Sequence, residues 1–434
     1  MVANLESTIS YREEFVPSKL EPIKILQNFL QGGIFTNYVM YERDGEVRIA
    51  GNELARVSVS KTKVCLEGMG QFFSQPASDP FKQVGELLES LPLTNWTAYG
   101  YVAFDIAGFY SSYSKAIAQP LLYFLVPETE LSITAAGVRV KTTNSLTQIR
   151  ELLATDNKLS NYTPISLAED STDCQNYSDR IEQLRAAIQQ DKLHKAIISR
   201  SKKLTGNLDV LGTYAVGAKA NNSARSYCLN IGDVSAVGFS PEILMQADGT
   251  GHVVTNPLAA TRPRGQSHAE DLRLHNELFT DAKEVKEHAL SIWLAQNELN
   301  SFCLPETVRV FDFMEVKKYR CVQHLSSRAS GQLMPGKTLW DALKVLFPGI
   351  TVSGIDKQKA LAWIDRLEDE PRGIYAGGIG WVDSNGAADL AIAIRSVYQY
   401  DQEIYLNAGA GIVAESVSRN EYIESVNKMN TMLT

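Results

Sequence analysis

Four glutamates fall into two pairs of equal spacing, Glu284 with Glu287 and Glu421 with Glu424, each inside a stretch of helical periodicity. Residues three apart share one face of a helix. Two such helices facing each other would therefore present four carboxylates to one spot. An all-oxygen donor set without Cys or His suits magnesium, which takes one or two carboxylates directly, keeps waters and draws on substrate for the rest. Glu-x-x-Glu is also common on solvated helix faces, so the spacing alone is a weak signal. His288 follows Glu287 directly, which is not the Glu-x-x-His pattern of di-iron bundles.

Two further ionisable groups stand at defined places. Segment 195–200, Lys-Ala-Ile-Ile-Ser-Arg, reads as a strand, with Lys195, Ile197 and Ser199 on one face and Ala196, Ile198 and Arg200 on the other. A lysine among apolar neighbours is a candidate general base, because burial disfavours an ammonium. The ordinary alternative is a strand-end lysine snorkelling to water. Segment 238–242, Gly-Phe-Ser-Pro-Glu, reads as a turn between strands that fixes the Glu242 carboxylate on a loop. An exposed turn glutamate is the commoner case. Segments 257–265, 347–354 and 407–411 read as proline-bounded or small-residue loops. Their backbone N–H groups and the Thr261 hydroxyl could hold an anion, since small residues permit close approach.

These groups need elements to position them. Strands are expected at 38–49 and 55–66, with turns at Asp44-Gly45 and Gly51-Asn52, and again at 131–142. Helices are expected at 81–91 and 145–153. The polar stretch 156–173 reads as a connection, dividing a β-rich region, 1–170, from a second region, 171–434. The second opens with a helix whose Tyr177, Ile181, Leu184 and Ile188 recur at helical intervals. Strands follow at 195–204, 227–231 and 235–238, and a single long helical block spans 269–300. A strand-like run covers 308–331, and two helices follow at 338–346 and 358–367. Strands return at 374–382, 390–400 and 404–408, and a last helix starts near Asn420. Strands and helices are interspersed without strict βαβ alternation, which favours an α+β fold.

Composition narrows the class. The chain has 434 residues, 44% of them hydrophobic and 21% charged, so it can bury a large core without staples. A net charge of -8 argues against a nucleic-acid partner, which would need a basic patch. Five cysteines are widely and irregularly spaced with no C-x-x-C, which excludes the usual zinc patterns and suggests reduced thiols in a cytoplasmic protein. Residues 1–6 lack the charged and apolar regions of a signal peptide, and no apolar run reaches membrane-spanning length.

In this order, segments 195–200, 238–242, 257–265, 281–288, 324–326, 347–354, 375–380, 393–395 and 408–428 resemble the chorismate-utilising enzymes. That family includes anthranilate synthase large subunits and aminodeoxychorismate, isochorismate and salicylate synthases. Each motif is weak; the ordered set is specific. The resemblance implies a large antiparallel β core wrapped by helices, with chorismate as substrate and Mg2+ as cofactor. It implies Glu287 and Glu424 as direct metal ligands, with Glu284 and Glu421 acting through water. Leu258, Ala260 and Thr261 would line the substrate pocket. Tyr375, Arg395, Gly409 and Lys428 would hold the enolpyruvyl carboxylate. Lys195 would be the base, Glu242 the acid, and His324 and Thr351 would shape the site.

The same resemblance separates branches of the family. Ammonia-using members carry Gln where this chain has Lys195, so no glutaminase subunit is expected. Ala259 stands where aminodeoxychorismate synthases carry a lysine. Members that stop at isochorismate tend to lack Thr351, and they are the alternative reading. Lys195 with Thr351 resembles the salicylate synthases of bacterial siderophore biosynthesis, the yersiniabactin type, acting as monomer or homodimer. Two positions depart from the pattern: Ala260 replaces a glycine, and Asp356 stands where a proline is usual. Segment 87–90, Leu-Leu-Glu-Ser, resembles a tryptophan-inhibition motif but reads here as a helix end.

Overall fold

The structure is a computed structural model describing residues 10–160, 171–320 and 322–432, without the side chains of 171–173, 259–261 and 283. Residues 1–6, the boundary at 170 and Cys321 lie outside the described residues. Among the described residues the strands join in one 21-stranded sheet, and every pairing between its strands is antiparallel. Helices pack around it, giving the expected α+β architecture. No helix among the described residues is long and apolar enough to cross a membrane.

Local chemistry explains the register. Asp44 and Gly45 both take positive φ, 49° and 81°, so Tyr38–Arg43 and Glu46–Val59 close as a two-residue hairpin. The turn expected at Gly51-Asn52 is absent: Glu46–Val59 runs through it. A register shift between Glu53 and Ala55 absorbs the irregularity, and the Asn52 side chain donates to Ile34 O at 2.6 Å. Tyr38–Arg43 pairs with Arg225–Ile231, and Thr97–Val102 with Gly378–Asp383, so chain-distant strands share one surface. One apolar cluster gathers Phe81, Trp96, Tyr99, Phe124 and Trp340; a second gathers Phe29, Phe35, Tyr214 and Phe239.

Several expected elements are corrected. Segment 257–265 is not a loop, because Leu258–Pro263 is a strand paired with Val322–Gln332, Thr261 opposite His324. Segment 407–411 lies inside the strand Glu403–Ile412, which pairs with Lys195–Thr205 from Glu403↔Thr205 to Ile412↔Ala196. The long helical block breaks at Asp281 into His268–Thr280 and Ala282–Asn300. The run 308–331 is a hairpin of Arg309–Lys318 and Val322–Gln332. Strand 374–382 starts only at Gly378, after Ala376 takes left-handed φ, 63°, and 390–400 is split where Arg395 takes 51°.

Asp356 also has left-handed backbone, φ 55°, at the start of helix Lys357–Leu367. Proline is locked near φ −65° and cannot occupy that conformation. The residue that departs from the family pattern therefore fits the backbone found here.

Candidate active site

The floor of the site is the antiparallel pair Lys195–Thr205 and Glu403–Ile412. Lys195 and Ile197 point into a cleft holding a cavity of about 180 Å³. The neighbouring strand presents glycines there. A Cβ on Gly411 would stand 2.9 Å from Lys195 Cε and 3.3 Å from Glu287 Oε1, so its absence lets these side chains meet. They do meet: the buried Lys195 ammonium donates to Glu287 Oε1. Its surroundings are thus not simply apolar, as the strand pattern suggested. The Tyr177 hydroxyl, on helix Ser171–Gln189, pins the strand by donating to Ile198 O at 2.8 Å. Arg372 ties it to the next wall by donating to Ile197 O (2.6 Å), Val352 O (2.7 Å) and the Glu368 carboxylate (2.6 Å).

Glu242 closes the opposite side. Only 4% of it is exposed, which excludes the solvated-turn reading. Its Oε1 accepts from Thr351 Oγ1 at 2.6 Å and from the Leu258 N–H at 3.1 Å. Burial pushes its carboxyl up to about 7, against the pull of those two bonds and of the Lys195 and Lys428 charges. A carboxyl poised near neutrality can hold or release a proton at working pH. His324 is buried beside it, ring against Tyr319 at 5.7 Å, and the Tyr319 hydroxyl donates to Pro241 O at 3.1 Å.

Glu284 and Glu287 on Ala282–Asn300, and Glu421 and Glu424 on Ser418–Asn430, all line this cleft. The two helices thus bring both pairs to one cavity. Cations meet these carboxylates there: Glu287 meets Lys195, Glu424 meets Lys428 at 2.5 Å, and Glu284 lies 3.7 Å from Arg262. As arranged, no three acidic, His or Cys side chains among the described residues stand close enough to hold an ion by themselves. Magnesium does not need three, since it binds through one or two carboxylates plus water and substrate. An all-carboxylate donor set on two facing helices, with no soft ligand, fits that ion.

The remaining wall is cationic and aromatic. Tyr375, Arg395 and Lys428 line it, with Lys428 Nζ donating to Gly409 O at 2.8 Å. Burial lowers the Arg395 pKa, so an incoming carboxylate would offset the desolvation of its guanidinium. Leu258, His324 and Thr351 complete the lining. Every nominated residue with a described side chain is therefore in one place; the side chains of Ala260 and Thr261 lie outside the described ones. Sequence reasoning missed Arg262, Asn407 and Gly411 as lining residues. Arg262 sat in a recognised segment beside Thr261, and its basic type was the available signal.

The chain is similar to several known proteins. A profile described as chorismate binding enzyme matches residues 38–434. The chain is 32% identical to the salicylate synthase of Mycolicibacterium paratuberculosis over 91% of this chain and 88% of that protein. It is 41% identical to an anthranilate synthase component 1 of Haloarcula marismortui, but over 59% of this chain and only 49% of that one. Among solved structures, anthranilate synthase component I from Streptococcus pneumoniae superposes with a TM-score of 0.77 at 27% identity, covering 91% of this chain and 92% of that one. The menaquinone-specific isochorismate synthase from Escherichia coli shares the fold, with a TM-score of 0.75 at 20% identity over 98% and 95% of the two chains.

Proposed function

The chain belongs to the chorismate binding enzyme family, and on that premise we propose that it converts chorismate, through bound isochorismate, to salicylate and pyruvate. The observation that carries this reading is the facing pair of Lys195 and Glu242 in one cleft, with Thr351 bonded to Glu242 at 2.6 Å. The extended similarity to a salicylate synthase supports it.

Lys195, as the free amine once its ammonium proton has gone to solvent and its contact with Glu287 is exchanged for one with water, takes a proton from the water that adds at C2 of the ring. Glu242, protonated, gives its proton to the C4 hydroxyl, which departs as water. Tyr375, Arg395, Gly409 and Lys428 hold the enolpyruvyl carboxylate, so isochorismate stays in place. Pyruvate then leaves as the C2 hydrogen passes to the enolpyruvyl carbon and the ring aromatises. That step needs a held conformation more than a further acid or base, and His324 and Thr351 supply walls for it. Glu287 and Glu424 would hold magnesium directly, with Glu284 and Glu421 through water; the bound ion would position the ring carboxylate and offset its charge. Use of the salicylate in a siderophore of the yersiniabactin type is part of the same proposal.

A second reading, amination to anthranilate, draws on the higher local identity to the Haloarcula protein. Lys195 in the position that resembles the glutamine of ammonia users speaks against it.

The test is chromatographic analysis after mixing purified protein with chorismate and magnesium, with and without ammonia and EDTA. Salicylate with equimolar pyruvate, lost with EDTA and indifferent to ammonia, is the expected result. Isochorismate alone would replace the reading with a synthase lacking lyase activity, and an ammonia requirement would establish amination.

A further inference from the structure

Behind Glu242 lies a second, much smaller cavity of about 10 Å³, lined by Glu242, Thr351, Thr255 and Glu298 among apolar residues that include Leu244 and Ile392. That is room for about one water. Glu298, near the end of helix Ala282–Asn300, has a side chain only 10% exposed. Its Oε1 accepts from Lys357 Nζ at 2.6 Å, while its Oε2 is fully buried and has no partner in the protein. A buried carboxylate oxygen without a hydrogen bond is costly, and the cavity it lines offers the means to satisfy it. Glu298, Glu242 and Thr351, all lining residues, give a water there three polar side chains to bond, enough to hold it.

We infer that Glu298 is a positioning residue that returns a proton to Glu242 through this single buried water. The inference rests on the proposed function, in which Glu242 gives up a proton in every cycle. Glu242 is 4% exposed, and substrate would cover its cleft side, so reloading from the front must wait until the cleft empties. The rear cavity removes that wait. The proton passes from the carboxylic-acid form of Glu298 to the water as the water gives one to the Glu242 carboxylate. Glu298 is left ionised beside the Lys357 ammonium and is protonated again from solvent. Only O–H bonds form and break, and charge balances. Lys195, Lys428 and Tyr319 act on Glu242 from other elements, and Lys357 on Glu298. Lys357 also donates to Val345 O at 2.9 Å and Leu346 O at 3.2 Å, closing helix Leu339–Leu346 before the segment that carries Thr351. A purely structural role for Glu298 would run through those bonds.

The two roles separate kinetically in Glu298→Gln. Glutamine keeps the shape and an oxygen for Lys357, but has no carboxyl proton to pass on. The expected result is a first turnover, with enzyme in excess over chorismate, close to wild type. Steady-state kcat should fall about tenfold or more, with KM falling in step so that kcat/KM stays near wild type, while conversion of added isochorismate stays normal. Equal loss in single and multiple turnover would make Glu298 structural and overturn the inference, as would no loss at all. Should the variant fail to fold, solvent deuterium on the wild type decides. An isotope effect on kcat about twofold above that on the first turnover supports the relay, and equal effects refute it. Wild-type protein inert toward chorismate would instead sink the proposed function itself.

Discussion

Replacing Thr351 with valine removes one hydroxyl and leaves the Leu258 N–H, 3.1 Å from Glu242 Oε1, in place. The lost bond is short, 2.6 Å, and it favours the carboxylate form of Glu242. A hydrogen bond to a charged group contributes about 1.5–3 kcal/mol. At about 1.4 kcal/mol per pKa unit, its removal raises Glu242 by about 1–2 units. From a starting point of about 7, the carboxyl should then titrate near 8–9, a shift of about that size. The proposed step needs Glu242 protonated, so activity is present below its pKa and lost as pH rises through it. Raising the pKa must move the alkaline limb of the profile upward. The assay is kcat/KM for total conversion of chorismate, isochorismate plus salicylate, from pH 5.5 to about 9.5. The variant should retain more of its own maximum at alkaline pH than the wild type does. An alkaline limb that stays put or moves down would refute both the hydrogen-bond argument and the role of Glu242 as acid.

Lys195→Ala should abolish conversion of chorismate while leaving that of added isochorismate measurable; retained chorismate turnover would remove Lys195 as the base. Glu287→Gln should raise the magnesium concentration for half-maximal activity about tenfold or more, and an unchanged titration would count against the metal assignment. Glu242→Gln should be inactive yet more stable. The Glu242 carboxyl is raised from its usual 4.5 to about 7, so its favourable contribution to folding is complete below about 4.5 and lost as pH rises through 7. The variant's advantage in thermal or denaturant unfolding should therefore be small at pH 4.5 and reach about 2–3 kcal/mol by pH 8. A gain independent of pH would contradict the burial argument.

The site was legible where chemistry sits in short, ordered motifs. Lys195, Glu242 and both glutamate pairs could be nominated because acid–base and metal work restricts residue type. The helix break at Asp281 was also readable in retrospect: Asp281-x-x-Glu284 is a helix-start signature, and the Glu284 N–H donates to Asp281 Oδ1 at 3.3 Å. The strand character of 407–411 was not readable, since Gly and Ala have little strand propensity and the pairing with Lys195–Thr205 decides the outcome. The left-handed backbone at Ala376 and Arg395 leaves no mark in residue type either. The Lys195–Glu287 bond joins residues 92 apart, and the Arg372 clamp spans 175 positions to Ile197. Such contacts follow from topology, which a single sequence states only through resemblance.

Gly409 and Gly411 give the cleft a floor made of main chain. A Cβ on Gly409 would stand 2.6 Å from Ile198 O, a backbone atom that cannot swing away, and one on Gly411 would press on Lys195 Cε at 2.9 Å. Substitution at these positions can only fill space, never create it. Any enlargement or reshaping for a different ring substituent has to be written on the walls, in residues such as His324, Ile394 and Val352. The floor is thereby a fixed datum against which the chain can diverge in specificity without moving the reacting groups.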